Sequence, residues 1–153
     1  MSNMRRGFRL ENELNRVVAY LNSIGIHAHK NHPRRTEDGT WIEGEPFDYE
    51  VLSDGVLHCF DAKECKGRRW SLQNAKPGQL NNLLACRKNG ANAFFLVLFT
   101  EDRRLKRFDA ELVRAAMSEG KKSLTLDEGA DWDWTELDSS RKRSASSSTR
   151  SPS

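Results

Sequence analysis

The sequence predicts a mixed α/β fold, in which helices pack against a sheet. Apolar residues recur at helical spacing from about residue 8 to 24. Two β-type runs flank an Asp54-Gly55 turn, and 93–99 is an almost unbroken apolar run that is followed by a helix-like segment. The resulting order of elements, α-β-β-β-α-β-(β)-α, belongs to neither a repeat protein nor a helical bundle.

The chain has the length of one domain. Its 153 residues, of which 37% are hydrophobic, suffice to bury a core. No apolar run approaches the roughly 20 residues of a membrane span, and the first residues lack the apolar segment of a secretion signal. The three cysteines are odd in number and form no CxxC pair, which indicates a reduced, cytoplasmic compartment without a disulfide framework or a structural zinc site.

Positive charge is concentrated in a few segments. The net charge is +3, but four of the basic residues lie in the acid-free segment 139–153, and without them 21 basic residues face 22 acidic ones. We therefore predict a single domain over 1–138 and a disordered basic Ser/Arg-rich tail over 139–153. Further clusters include 63–69 and 103–107. Clusters of this kind suit a phosphate backbone, although solvated surface charge also explains a single cluster, especially that at 103–107.

The first helix is predicted from about residue 8 to 24, where Gly25 is a natural stop. Glu11 falls at the edge of its apolar stripe, from which it can reach a site beside the sheet. A solvated helix residue is the alternative interpretation of Glu11. A short strand over 26–30 and a loop from Asn31 to Pro46 are predicted to follow.

The hairpin from Asp48 to Lys63 is the most informative segment. A type I′ turn requires positive φ at both central residues, and Asp-Gly is a favoured pair there. If Asp54 and Gly55 are those residues, positions whose numbers sum to 109 face each other, which places Asp48 opposite Asp61. Asp48, Asp61 and Lys63 then share one face of the strands. The other face, which is predicted to pack in the core, carries Phe47, Tyr49, Val51, His58, Phe60 and Ala62.

The opposed carboxylates need a cation. Two carboxylates about 5 Å apart repel by about 3 kcal/mol at an effective dielectric constant near 20. Lys63 relieves part of this repulsion, and a divalent cation relieves all of it. Two acids and a lysine around Mg²⁺ are the groups that phosphodiester hydrolysis uses. The alternative is a surface ladder of ion pairs on a solvated sheet face.

The segment after the hairpin is predicted as a basic, polar loop over 67–76. Its Trp70 either stacks on an unpaired base or anchors the loop in the core. A helix is predicted from Pro77 to about Lys88, with Gly90 as its cap.

The rest of the domain is predicted as strand, strand and helix. The run 93–99 indicates a central strand that is buried on both faces, and 104–108 a further strand. The last helix runs from Asp109 to Glu119, with Leu112, Ala115, Ala116 and Met117 available for burial.

Four pieces of the sequence carry a resemblance to a known family. They are Arg6-Gly7-Phe8-Arg9-Leu10-Glu11, Asp48-Tyr49, Asp61-Ala62-Lys63-Glu64, and Gln79 at the start of a helix. Together they resemble the RecU-type Holliday junction resolvases of the PD-(D/E)XK nuclease superfamily, over roughly residues 5 to 125. The resemblance implies a restriction-endonuclease-like core with a mixed sheet flanked by helices.

The resemblance also implies roles for individual residues. Glu11, Asp48 and Asp61 would be ligands of Mg²⁺ or Mn²⁺, and Lys63 would stabilise negative charge. Gln79 would order the metal shell or the attacking water, with an ordinary position in the first helical turn as the alternative. Asp61 stands where RecU-type proteins usually carry Glu.

The function implied is that of a metal-dependent endonuclease that resolves four-way (Holliday) junctions in DNA recombination and repair, in a bacterial cell or encoded by a phage. Because paired nicks in a two-fold symmetric junction require two active sites, a homodimer is expected. Contacts to DNA phosphates are predicted for Arg6, Lys66, Arg68 and Arg69. Two alternatives stay open: another nuclease of the same fold, restriction-like or replication-linked, and a non-catalytic nucleic-acid-binding module.

Overall fold

The structure is a computed structural model that describes residues 6–31, 34–35, 41–42 and 47–138. Side chains are described from Arg9 onward, except at 34–35 and 41–42, where the backbone alone is described. The predicted tail over 139–153, most of the predicted loop between Asn31 and Pro46, and the side chain of Arg6 therefore lie outside the described residues.

The described part of the chain contains three α-helices close to the predicted positions. They are α1 (Arg6–Ser23), α2 (Pro77–Lys88) and α3 (Ala110–Ser118). Gly25 follows α1 with a φ of +87°, a conformation that glycine adopts without steric cost. Pro77 opens α2, because its fixed φ suits the first helical position and its missing N–H has no partner to lose there.

The same residues form strands in one large sheet and two small ones. The strands are β1 (His27–Lys30), β2 (Arg34–Arg35), β3 (Trp41–Ile42), β4 (Tyr49–Ser53), β5 (Val56–Cys65), β6 (Arg69–Ser71), β7 (Asn92–Phe99), β8 (Arg104–Asp109), β9 (Ser123–Thr125) and β10 (Ala130–Asp131). The large sheet has the order β1-β4-β5-β7-β8-β10. Within it β5 and β7 are parallel and the other neighbours antiparallel, which confirms a mixed α/β fold.

The hairpin of β4 and β5 has the predicted turn and register. Asp54 and Gly55 have φ values of +53° and +80°, as a type I′ turn requires. Tyr49 pairs with Phe60, and Val51 with His58, so that paired residue numbers sum to 109.

Helices cover both faces of the sheet. The core on the α1 side contains Tyr49, Phe60, Phe94 and Leu96, together with the buried residues of α1. The core on the side of α2 and α3 contains Cys59, Phe95, Val97 and Phe99. Successive residues of β7 thus enter opposite cores, which confirms the prediction of a central strand buried on both faces.

Several local predictions were wrong. Phe47 packs in the core on the α2 side, because β4 begins only at Tyr49 and its alternation does not extend back to Phe47. Leu112 is 40% exposed, whereas Val113 is buried, because α3 packs through Ala110, Val113 and Ala116. Within the segment predicted as a loop, β2 and β3 pair antiparallel.

Trp70 is fully buried, in β6. Its ring lies 5.3 Å from that of Phe95 and 5.5 Å from that of Phe108, and β6 pairs antiparallel with β9. Trp70 therefore anchors its segment, and base stacking is the wrong interpretation. None of the described helices has the length and apolar character that crossing a bilayer requires.

Candidate active site

Asp48 and Asp61 lie side by side where β4 begins. The backbone N–H of Asp48 donates to Oδ1 of Asp61 at 2.8 Å, and Oδ2 of Asp48 accepts from the backbone N–H of Ala62 at 3.2 Å. Each carboxylate is thus bound to the backbone of the segment that carries the other. The predicted juxtaposition of the two acids is present in the structure.

Asn31, which follows β1, holds the segment that carries Asp48. Its side-chain amide donates to the carbonyl of Phe47 at 2.7 Å, and its backbone N–H donates to the carbonyl of Asp48 at 2.8 Å. Asn31 is itself buried. The hydrogen bonds of β1 and β4 therefore extend past the end of both strands and fix the backbone at Asp48.

Asp61 is fully buried, and one of its oxygens lacks a partner. Among the described residues, no hydrogen bond reaches its Oδ2. Burial, and after it the neighbouring charge of Asp48, raise the pKa of Asp61 to about 7. A solvated ladder of ion pairs does not describe this residue, because Asp61 is fully buried.

Lys63 lies on the same face of β5 and contacts α2. Its Nζ donates to Oε1 of Gln79 at 3.0 Å. Burial lowers the pKa of Lys63, while the charges of Asp61 and Asp48 act in the opposite direction. The structure thus brings Asp48, Asp61, Lys63 and Gln79 together, with Gln79 in the first turn of α2.

Glu11 lies on α1, the helix that covers the face of the sheet opposite to α2. Its Oε2 is 3.6 Å from Nζ of Lys30, and its side chain is 45% exposed. The hydroxyl of Tyr49 is buried without a hydrogen-bond partner among the described residues. Burial raises the pKa of Tyr49, and the charges of Glu11 and then Asp48 raise it further, so both carboxylates act on the same hydroxyl.

The two aspartates fit a hard divalent cation. Mg²⁺ prefers carboxylate oxygens, and the buried Oδ2 of Asp61, for which the described residues offer no hydrogen bond, is an oxygen of this kind. Within the described ranges, no three His, Cys, Asp or Glu side chains lie close enough to hold an ion jointly. Glu11 as a third ligand therefore stays a prediction.

The residues predicted to contact DNA lie mostly beyond the end of β5. Lys66 and Arg69 are exposed. Arg68 is exposed as well, but its guanidinium lies 3.9 Å from carboxylates of both Asp102 and Asp127. Three of the four basic residues in the cluster at 103–107 form ion pairs within the protein: Arg104 and Lys106 bind Asp131, at 2.8 and 2.9 Å, and Arg107 binds Asp109.

Three residues of this site were not predicted from the sequence. The side chains of Asn31 and Glu64 bind backbone groups next to the predicted ligands, and Tyr49 lies beside them with a buried hydroxyl. The sequence offers one clue to two of these residues: Tyr49 directly follows Asp48, and Glu64 directly follows Lys63.

Comparisons with known proteins agree with this architecture. A model of the protein family Recombination protein U matches residues 5–140. No curated protein matches the chain. Among solved structures, Hjc from Archaeoglobus fulgidus, a Holliday junction resolvase from an archaeal hyperthermophile, is similar at a TM-score of 0.51 and 18% identity, covering 82% of this chain and 95% of that one. This likeness confirms the expected restriction-endonuclease-like fold.

Proposed function

The chain belongs to the Recombination protein U family, and we propose on this premise that it is a divalent-metal-dependent endodeoxyribonuclease that resolves four-way (Holliday) junctions in DNA recombination and repair. One observation carries the proposal: the buried Asp61 has no partner for Oδ2 in the described part of the chain, and it lies beside Asp48 and next to the Lys63–Gln79 pair. Two acids, a lysine and an amide in this arrangement are suited to phosphodiester hydrolysis.

The metal site would consist of Asp48 and Asp61, with Glu11 as the further carboxylate, and would take Mg²⁺ or Mn²⁺. When bound, such an ion polarises the scissile phosphate and activates water. Asp61 accepts a hydrogen bond at Oδ1 and presents Oδ2, so its carboxylate is held in one orientation before any ion arrives. This preorganisation lowers the cost of gathering ligands around a cation.

Lys63 would stabilise the negative charge that develops on the phosphate. An ammonium group has three N–H donors, and the structure commits one of them to Gln79. The other two can bind phosphate oxygens or the attacking water. Because Lys63 is partly buried, its charge acts in a medium of lower dielectric constant than water and is correspondingly more effective.

The exposed bases near the end of β5 would bind the flanking DNA backbone. Lys66 and Arg69 are exposed on the segment that leaves the catalytic strand, and Arg68 and Arg6 complete the predicted set. A C2 homodimer in the cytoplasm of a bacterial cell, from a bacterial or a phage gene, would present two such sites to the symmetric junction.

The proposal is tested by comparing cleavage of a synthetic four-way junction with that of a linear duplex of the same sequence, in Mg²⁺ and in chelator. We expect paired nicks in the junction in Mg²⁺ and no cleavage in chelator. Equal rates on both substrates would overturn junction resolution and leave another nuclease of this fold. Binding of the junction without cleavage in Mg²⁺ would point to a non-catalytic nucleic-acid-binding module.

A further inference from the structure

Glu64 joins the catalytic strand to the first helix. Its Oε2 accepts a hydrogen bond from the backbone N–H of Leu10 at 2.8 Å, across 54 positions of the sequence. Lys63 faces α2 through Gln79, and because side chains alternate along a strand, the next residue of β5 faces α1. The hydrogen bond from the Leu10 N–H to Glu64 shows that the Glu64 side chain faces α1.

This bond lies near the N-terminal end of α1, where a negative charge is stabilising. Backbone N–H groups near a helix start carry partial positive charge, and a carboxylate bound to one of them forms a charge-assisted hydrogen bond. The first turn of α1 contains no acidic residue of its own. Glu64 therefore brings a negative charge from β5 to the fifth residue of α1, just after a first turn that has no acidic residue.

The residue that follows Leu10 is Glu11. Its carboxylate is 45% exposed and lies 3.6 Å from Nζ of Lys30, and that Nζ lies 5.8 Å from the centre of the Tyr49 ring, next to Asp48. Glu11 thus lies at the margin of the site, one residue after the Leu10 amide that Glu64 binds.

We propose that Glu64 is a positioning residue that holds the start of α1 against β5, through the Leu10 N–H, and thereby keeps Glu11 within reach of the metal site. The proposal rests on the proposed function, because it concerns the same ion. Glu64 need not be a ligand for this role, since Oε2 is already bound to the backbone of α1. Residues of this kind affect metal affinity by about 10- to 100-fold.

The test uses the full chain and two substitutions, Glu64→Gln and Glu64→Leu. Glutamine keeps a carbonyl oxygen that can accept from Leu10, whereas leucine keeps similar bulk without an acceptor. Hydrogen exchange of the Leu10 amide, followed by NMR, reports the contact itself. Titration of the metal-free protein with Mn²⁺, followed by calorimetry, reports affinity without reference to cleavage. Glu50→Leu is the matched control, because Glu50 binds His27 of β1 and not α1.

We expect Glu64→Leu to lose protection at the Leu10 amide and to bind Mn²⁺ about 10-fold more weakly. We expect Glu64→Gln and Glu50→Leu to stay within about 3-fold of the wild type, a difference well below the 10-fold step of 1.4 kcal/mol. If Glu64→Leu does not fold, Glu64→Ala takes its place, because it also removes the acceptor, and its Mn²⁺ affinity is compared with that of Glu64→Gln.

Two results would overturn the proposal. Equal Mn²⁺ affinity of Glu64→Leu and the wild type would show that the contact does not serve the metal site. A Glu64→Gln protein that protects Leu10 but binds Mn²⁺ weakly would show that Glu64 acts through its charge. If the wild type binds Mn²⁺ but does not cleave DNA, the proposed function alone fails, since the Mn²⁺ titrations still decide the role of Glu64.

Discussion

Asp61 holds Asp48 by its backbone: Oδ1 of Asp61 accepts the Asp48 N–H at 2.8 Å, and Oδ2 of Asp61 is buried without a partner among the described residues. The two oxygens of one carboxylate therefore have different surroundings. Oδ1 is hydrogen-bonded to the backbone, and Oδ2 points to the place where a cation would be bound.

Asp61→Asn should separate these two tasks. Asparagine keeps the Oδ1 acceptor but replaces the unpartnered oxygen by an amide group, so we expect a native fold and a loss of junction cleavage on the order of 10³-fold or more. Junction binding, measured by fluorescence anisotropy, should persist or tighten because repulsion of the phosphates falls. Asp54→Asn in the hairpin turn is the control and should cleave normally. Retained activity in Asp61→Asn would exclude Asp61 from the chemistry.

The stability of the metal-free protein should fall as pH rises from about 4 to about 7. Burial raises the pKa of Asp61 from 3.8 to about 7, so in this range the folded state binds more protons than the unfolded state. The stabilising contribution of the protonated form is complete below about pH 4. It is lost as pH rises to about 7, by at most about 1.4 kcal/mol per pH unit.

Urea denaturation in chelator at several pH values measures this effect. Asp61→Asn should show a shallower dependence, since it lacks the titrating group. Added Mg²⁺ should restore stability of the wild type at pH 7.5 by binding the ionised form. Parallel pH profiles of the two proteins would contradict the expected ionisation.

Lys63 and Gln79 should act as one unit. Lys63→Met removes the ammonium group, and we expect a loss of kcat on the order of 100-fold or more. Gln79→Ala releases Lys63 from its acceptor and should cost about 10-fold. In the double variant the losses should not multiply, because Gln79 acts through Lys63. Gln73→Ala, on the exposed turn before α2, is the control, and fully multiplicative losses would indicate that Gln79 acts independently.

Trp70 should matter for stability and its neighbour Arg69 for DNA binding. Trp70→Ala removes a fully buried ring and should lower the free energy of unfolding by about 3 to 5 kcal/mol. Affinity of the folded fraction for DNA should not change.

Arg69→Ala should leave stability intact, weaken DNA binding, and reduce the slope of log affinity against log salt by about one. Reversed effects would mean that Trp70 contacts DNA.

Local rules predicted much of this fold. Asp54-Gly55 fixed the hairpin register because only residues that tolerate positive φ fit both turn positions. Since the register was right, Asp48, Asp61 and Lys63 were placed together from sequence alone. Pro77 and the apolar run 93–99 marked α2 and the central strand for equally local reasons.

Contacts between distant segments were not predictable in this way. The three-residue strands β6 and β9 are too short to show a period, and they pair across more than 50 positions. Asn31 and Glu64 act on backbone groups of other elements, which leaves no pattern in the sequence. Leu112 and Val113 are both apolar, and only the packing of α3 decides which is buried.

The strand pairing of β4 with β5 begins at Tyr49, one residue after the amide that Asp61 binds. The side chain of Asp61 thus binds the backbone just beyond the last residue pair of the hairpin, where the strand pairing ends. Alanine at this position would remove the carboxylate and would also leave the backbone N–H of Asp48 without its acceptor. A loss of activity in the alanine variant would therefore not show which of the two changes caused it. Only an isosteric replacement at this position separates the loss of the catalytic carboxylate from the loss of the structural hydrogen bond.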